Sequence, residues 1–129
     1  MIAGLNFVVE DADKRECPNG VFVNFSIYGS PSRAMNDAVK AIAAKGYFIG
    51  VCAGNENAAA SNYSPAQESS ACVVGATDQY DRRYIWSNTG PEVDLMAPGC
   101  DIPSLWPGGG IVSKSFFFPI YDPYVLITS

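Results

Sequence analysis

The chain has 129 residues, 48% of them hydrophobic and 16% charged, which suits one packed domain at most and excludes a charge-rich disordered chain. Its formal net charge is −5, without basic clusters, so nucleic acid and anionic membranes are not expected partners. No histidine occurs, so these residues alone cannot assemble a Ser-His-Asp or Cys-His machinery or a histidine-ligated zinc site.

In chain order, Ile2, Leu5, Val8 and Val9 fall at helical spacing and predict a short amphipathic helix over residues 1–13. Residues 10–20 are polar and end in Cys-Pro-Asn-Gly, a loop signature. Val21–Ser26 is rich in β-formers and predicts a strand that stops before Gly29-Ser30-Pro31. Ser30 or Ser32 can cap a second helix, with Pro31 suited to its first turn. Ala34, Met35, Ala38, Val39, Ile42 and Ala43 form that helix's apolar stripe, and Gly46 supplies its stop. Tyr47–Cys52 is a continuous apolar run and reads as a buried strand. Strand, helix and strand over 21–52 make a βαβ unit, the hallmark of a parallel sheet. Residues 55–67 read as loop, 72–76 as a buried strand, 78–83 as a polar turn and 93–96 as a strand stopped by Ala97-Pro98-Gly99. Residues 111–129 carry three consecutive phenylalanines and two prolines, with the period of neither helix nor strand.

Cys17, Cys52, Cys72 and Cys100 are too scattered for a zinc module and contain no CxxC pair. They permit up to two disulfides or none. No apolar run reaches the length of a membrane span. The first residues lack a basic region and turn acidic at Glu10 and Asp11, so they are not read as a secretory signal. Asn24-Phe25-Ser26 and Asn62-Tyr63-Ser64 are glycosylation sequons; the first falls in a predicted strand, the second in a loop.

Several segments stand out in this order along the chain: IAGLNFV and then CPNGV, CAGNENA, NYSPAQESSACVVGATDQYDRR and WSNTGPEVDLMAPG. Over about residues 2–109 these resemble the subtilisin-like serine proteases (peptidase S8), and within them the proteinase K branch. The stretch beginning at Asn62 is the most specific. The resemblance implies an α/β fold, a three-layer parallel sheet with flanking helices of which this chain forms part. It divides the chain into a partial catalytic domain, 1–110, and an unrelated aromatic-rich tail, 111–129.

The resemblance also implies roles. Asn55 matches the oxyanion-hole asparagine, whose amide stabilises the alkoxide formed in acyl transfer; the plain alternative is a turn asparagine. Cys52, Ala53 and Gly54 match the small-residue wall of the first specificity pocket, though strand-end packing also calls for small residues. Ser26, Ile27 and Tyr28 match the segment that pairs with substrate backbone. Here the chain departs from the family, which has Ser-Leu-Gly-Gly where this chain has Ser26-Ile27-Tyr28-Gly29; the tyrosine stands to obstruct the channel. Asp94, with the carbonyls of Ser69 and Ala71, matches a structural calcium site; otherwise Asp94 is a strand-end turn residue. Cys17 and Cys72 match cysteines bonded in the family to partners in regions this chain does not match. The catalytic Asp and His fall upstream of the matched region, and the nucleophile's GTSMA-PH segment falls after 107–109.

The function implied is serine-type endopeptidase acting on peptide or protein, extracellular by family. The chain by itself is expected to be an inactive fragment of it. The alternatives are a non-catalytic remnant that binds calcium or peptide, and an artefact of gene prediction. Without the missing parts, exposed apolar surface and aggregation are expected.

Overall fold

The structure is a computed structural model that describes residues 2–105, 109–114 and 125–128. Helix α1, Ile2–Ala12, buries Leu5, Val8 and Ala12 on one stripe. The loop after it leads into strand β1, Phe22–Phe25. Helix α2, Arg33–Ala44, is capped by Ser32, whose hydroxyl accepts the Met35 N–H at 3.3 Å. Pro31 therefore precedes the cap rather than occupying the first turn. At the other end Gly46, with φ 83°, donates its N–H to the Ala43 carbonyl and turns the chain out of the helix. Strand β2, Phe48–Cys52, follows at once.

Strands β3, Cys72–Thr77, and β4, Leu95–Pro98, continue the sheet, and Val125–Thr128, β7, closes its other edge. The order is β4-β3-β2-β1-β7. The first four strands are mutually parallel, while β7 runs antiparallel to β1 with Phe22 opposite Thr128 and Phe25 opposite Val125. Strands β5, Ile102–Leu105, and β6, Ile111–Lys114, form a separate antiparallel pair. The α/β class and the parallel sheet are as expected.

Three details differ from the sequence reading. Strand β4 begins two residues later than expected, because Asp94 holds its start: its N–H bonds the Val73 carbonyl and its Oδ2 accepts the Val73 N–H at 2.7 Å. It also runs through Ala97 and Pro98, which pair with Ala76 and Thr77. Proline is tolerated there because β4 bonds to β3 on one side only among the described residues. Finally, residues read as periodless supply β6 and β7. Phe116–Phe118, Pro119 and Pro123 lie outside the described residues.

Val23, Phe25, Ile49, Val51 and Val73 alternate onto one face of the sheet and are almost fully buried. They pack with Leu5, Val8, Met35, Val39 and Ile42 into a single core, so α1 and α2 cover the same face. Each buried side chain of this kind stabilises the fold by roughly 1.5–3 kcal/mol before entropy is subtracted. The opposite face carries Phe22 and Phe48, 42% and 52% exposed, with their rings stacked 5.2 Å apart. Gly50 lies beside them, 3.6 Å from the Phe22 ring when a Cβ is built on it.

Candidate functional site

In an open parallel sheet the loops leaving the carboxyl ends of the strands converge, and ligands bind there. Here those loops start at Ser26 after β1, at Ala53 after β2 and at Asp78 after β3. Every residue expected to contact substrate lies on the first two, apart from Cys52, the last residue of β2. They are neighbours because β1 and β2 pair in register, Phe25 beside Val51.

The loop after β2 is held from beneath by Asn88, whose side chain is fully buried. Its Oδ1 accepts the N–H groups of Glu56 at 2.9 Å and Ala58 at 3.0 Å. Its Nδ2 donates to the Ala53 carbonyl at 3.0 Å and to Glu56 Oε2 at 3.3 Å. The Asn88 N–H in turn bonds the Gly54 carbonyl. One amide thus satisfies backbone groups across 53–58 and fixes where Asn55 stands. Gly54 has φ 102°, and a Cβ there would run into the Asn88 amide, so both conformation and space demand glycine. The Asn55 N–H donates to Glu56 Oε2 at 3.0 Å.

Cys52, Ala53, Gly54 and Asn55 form one wall of a shallow, open hollow at the ends of β2, β3 and β4. Val74, Gly75, Ala76, Ala97 and Pro98 complete it. These linings are small and apolar, apart from the Asn55 amide. Burial pushes the Cys52 thiol up to about 12, so the sulfur is not a ready nucleophile.

On the β1 side, Ser26 Oγ donates to Asn24 Oδ1 at 3.3 Å. Ile27 packs against the core. Tyr28 reaches across to the β2 loop, and its hydroxyl donates to Glu56 Oε1 at 2.7 Å. Its ring meets Tyr63 edge-on, centroids 5.8 Å apart. Burial, and then the Glu56 carboxylate, raise the Tyr28 phenol well above its ordinary range. The structure brings Ser26, Ile27 and Tyr28 alongside Ala53, Gly54 and Asn55 as two facing segments.

Asp94, Ser69 and Ala71 lie at the opposite end of β3, around its first residues. The Asp94 carboxylate is exposed, and one oxygen takes the Val73 N–H. Among the described residues no three acidic, cysteine or histidine side chains gather as a metal cluster. A donor set of one carboxylate with backbone carbonyls and water suits calcium, and does not suit zinc or copper. All four cysteines are free thiols: Cys52 buried, Cys17, Cys72 and Cys100 half-buried. No helix of the described residues is long and apolar enough to cross a membrane.

Two members of the site were not singled out from the sequence. Asn88 sat inside the WSNTG segment without a role, and Glu56 inside CAGNEN. Polar residues between turn signals look like loop surface, and only the fold shows that one of them is a buried brace.

Comparison with known proteins matches residues 13–118 to the subtilase family, peptidase S8. Proteinase R of Parengyodontium album is 50% identical over 115 residues, 89% of this chain and 30% of its own length. Proteinase T of the same organism is 51% identical over 109 residues, 84% of this chain and 37% of its own. A crystal structure of a cold-adapted subtilisin-like serine proteinase superposes with a TM-score of 0.80 at 38% identity, covering 88% of this chain and 40% of that one. The chain spans about a third of the length of the curated relatives it matches. With the family match over most of its residues and the same parallel sheet beneath its loops, this chain belongs to the subtilases, in their proteinase K branch.

Proposed function

We propose that these residues form the central part of a serine endopeptidase domain that cleaves peptide or protein substrates, extracellular like its family. The observation that carries this reading is the braced loop 53–58, which presents Asn55 at the rim of the hollow. In acyl transfer a hydroxyl attacks a peptide carbonyl, and its oxygen becomes an anion. An amide donor fixed in advance stabilises that anion without reorganising. Asn55 is the donor, Ser26–Tyr28 the strand to which substrate backbone adds, and Cys52–Gly54 the wall beside its side chain. Since none of the 129 residues is histidine, the general base comes from outside them.

The test compares the 129 residues with the product of the whole transcript that encodes them. The longer protein is expected to hydrolyse casein and to be labelled on serine by a fluorophosphonate. The 129 residues alone are expected to do neither. Asn55→Ala in the longer protein should lower kcat about 10²–10³-fold with little change in KM. A transcript that encodes no further protease sequence would favour the second reading, a non-catalytic remnant binding peptide or calcium, for which the lack of histidine speaks. Labelling of the short chain would overturn both.

Calcium belongs to the same proposal. Asp94 and the carbonyls of Ser69 and Ala71 would hold it, tying the chain before β3 to the start of β4 and adding stability rather than chemistry. Calcium should raise the melting temperature, and Asp94→Ala should abolish that rise. A rise that survives the substitution puts the ion elsewhere.

A further inference from the structure

The space between the two facing segments is crossed by a continuous run of side chains. Gly29 and Ser64 exchange both backbone hydrogen bonds at 3.0 Å, which pins the end of the β1 loop against the loop carrying Tyr63. From that anchor Tyr28 leans with its ring edge-on to Tyr63 and its hydroxyl 2.7 Å from Glu56 Oε1. The second carboxylate oxygen of Glu56 takes the N–H of Asn55 and the amide of Asn88. The strap therefore ends on the buried brace of the loop. Its hydroxyl stays protonated throughout the neutral range, because burial and the adjacent carboxylate both oppose ionisation.

We propose that Tyr28, strapped to Glu56, is the specificity-determining residue of this cleft and restricts it to substrates with a small side chain, glycine, alanine or serine, at the residue on the acyl side of the cleaved bond. This rests on the endopeptidase reading above. The Tyr28 side chain spans from the β1 loop to Glu56 on the β2 loop, across the gap that the side chain of a substrate lying along Ser26–Tyr28 would enter. A benzyl or isobutyl group can enter only by expelling the ring and breaking the Tyr28–Glu56 hydrogen bond. A methyl or hydroxymethyl group needs no such movement. Glu56 is exposed, so the strap is closed on the Tyr63 side and open to water on the other.

The test uses the product of the whole transcript, with blocked tetrapeptide anilides that differ only in carrying alanine or phenylalanine at that residue. Wild type is expected to prefer alanine. Tyr28→Gly should shift the phenylalanine-to-alanine ratio of kcat/KM at least tenfold towards phenylalanine. Tyr28→Phe, which keeps the ring and loses the hydroxyl, and Glu56→Gln, which weakens the bond, should each shift it in the same direction by less. A wild type that prefers phenylalanine, or a Tyr28→Gly ratio that moves less than threefold while hydrolysis persists, would overturn the proposal and leave the endopeptidase reading standing. Failure of every form to cleave either anilide or to take the fluorophosphonate would overturn that reading, and the proposal with it.

Discussion

Asn88 does more for the site than any residue that faces it. Its buried amide serves the Glu56 and Ala58 N–H groups and the Ala53 carbonyl. Asn88→Ala would leave all three without their partner, and an unsatisfied buried group costs about 1–3 kcal/mol. We expect a loss of about 3 kcal/mol or more in denaturant unfolding, with the loop 53–58 losing amide-exchange protection first. Cys52 gives a pH dependence. Burial pushes its thiol up to about 12 from the ordinary 9.0. Between those values the unfolded chain releases a proton that the folded chain keeps, so this contribution is intact below pH 9 and is lost as pH rises towards 12. Cys52→Ala should flatten that part of the stability–pH curve measured by chemical denaturation. An unchanged slope would mean that the sulfur is not sealed from solvent. Neither role could be read from the residues themselves. An asparagine before Thr-Gly and a cysteine after valine look ordinary until the strands bring 53–58 and 88 together.

At the scale of elements, α2 was the most legible part of the chain. Its apolar stripe, its serine cap and its terminal glycine agree with one another, and all are local in sequence. Only the choice between Ser30 and Ser32 needed the structure, since Ser64 Oγ accepts the Ser32 N–H at 2.8 Å and holds the cap from another loop. Ser32→Ala removes the bond to Met35 N–H and should cost about 1 kcal/mol in thermal or urea unfolding. Strand β4 was less legible, because its ends depend on a partner. Asp94 fixes the start through Val73, and pairing with Thr77 carries the strand as far as Pro98. The pair β5–β6 and the addition of β7 to β1 rest on backbone ladders made by segments in which the sequence showed no strand, and no local signal announces such ladders.

For the molecule as a whole, the two faces of the sheet are unequal. One is packed by α1 and α2, and the other exposes the stacked Phe22 and Phe48. Parallel sheets are ordinarily covered on both faces. The 129 residues, produced alone, should therefore self-associate and bind a hydrophobic dye. Replacing Phe22 and Phe48 together by serine should reduce both, as read by sedimentation velocity and dye fluorescence. A monomer that binds no dye would show that the face is covered.

The sequence by itself determined the βαβ core, the family and the order of the loops. Those follow from local periodicity, from caps and glycines, and from ordered motifs that need no third dimension. Only the tertiary structure decided that Asn88 braces the loop of Asn55, that Glu56 receives Tyr28, and that both helices share one face. Those outcomes depend on which residues, far apart in the chain, the parallel register sets side by side, and hydrogen bonds such as Tyr28 to Glu56 exist only at that distance.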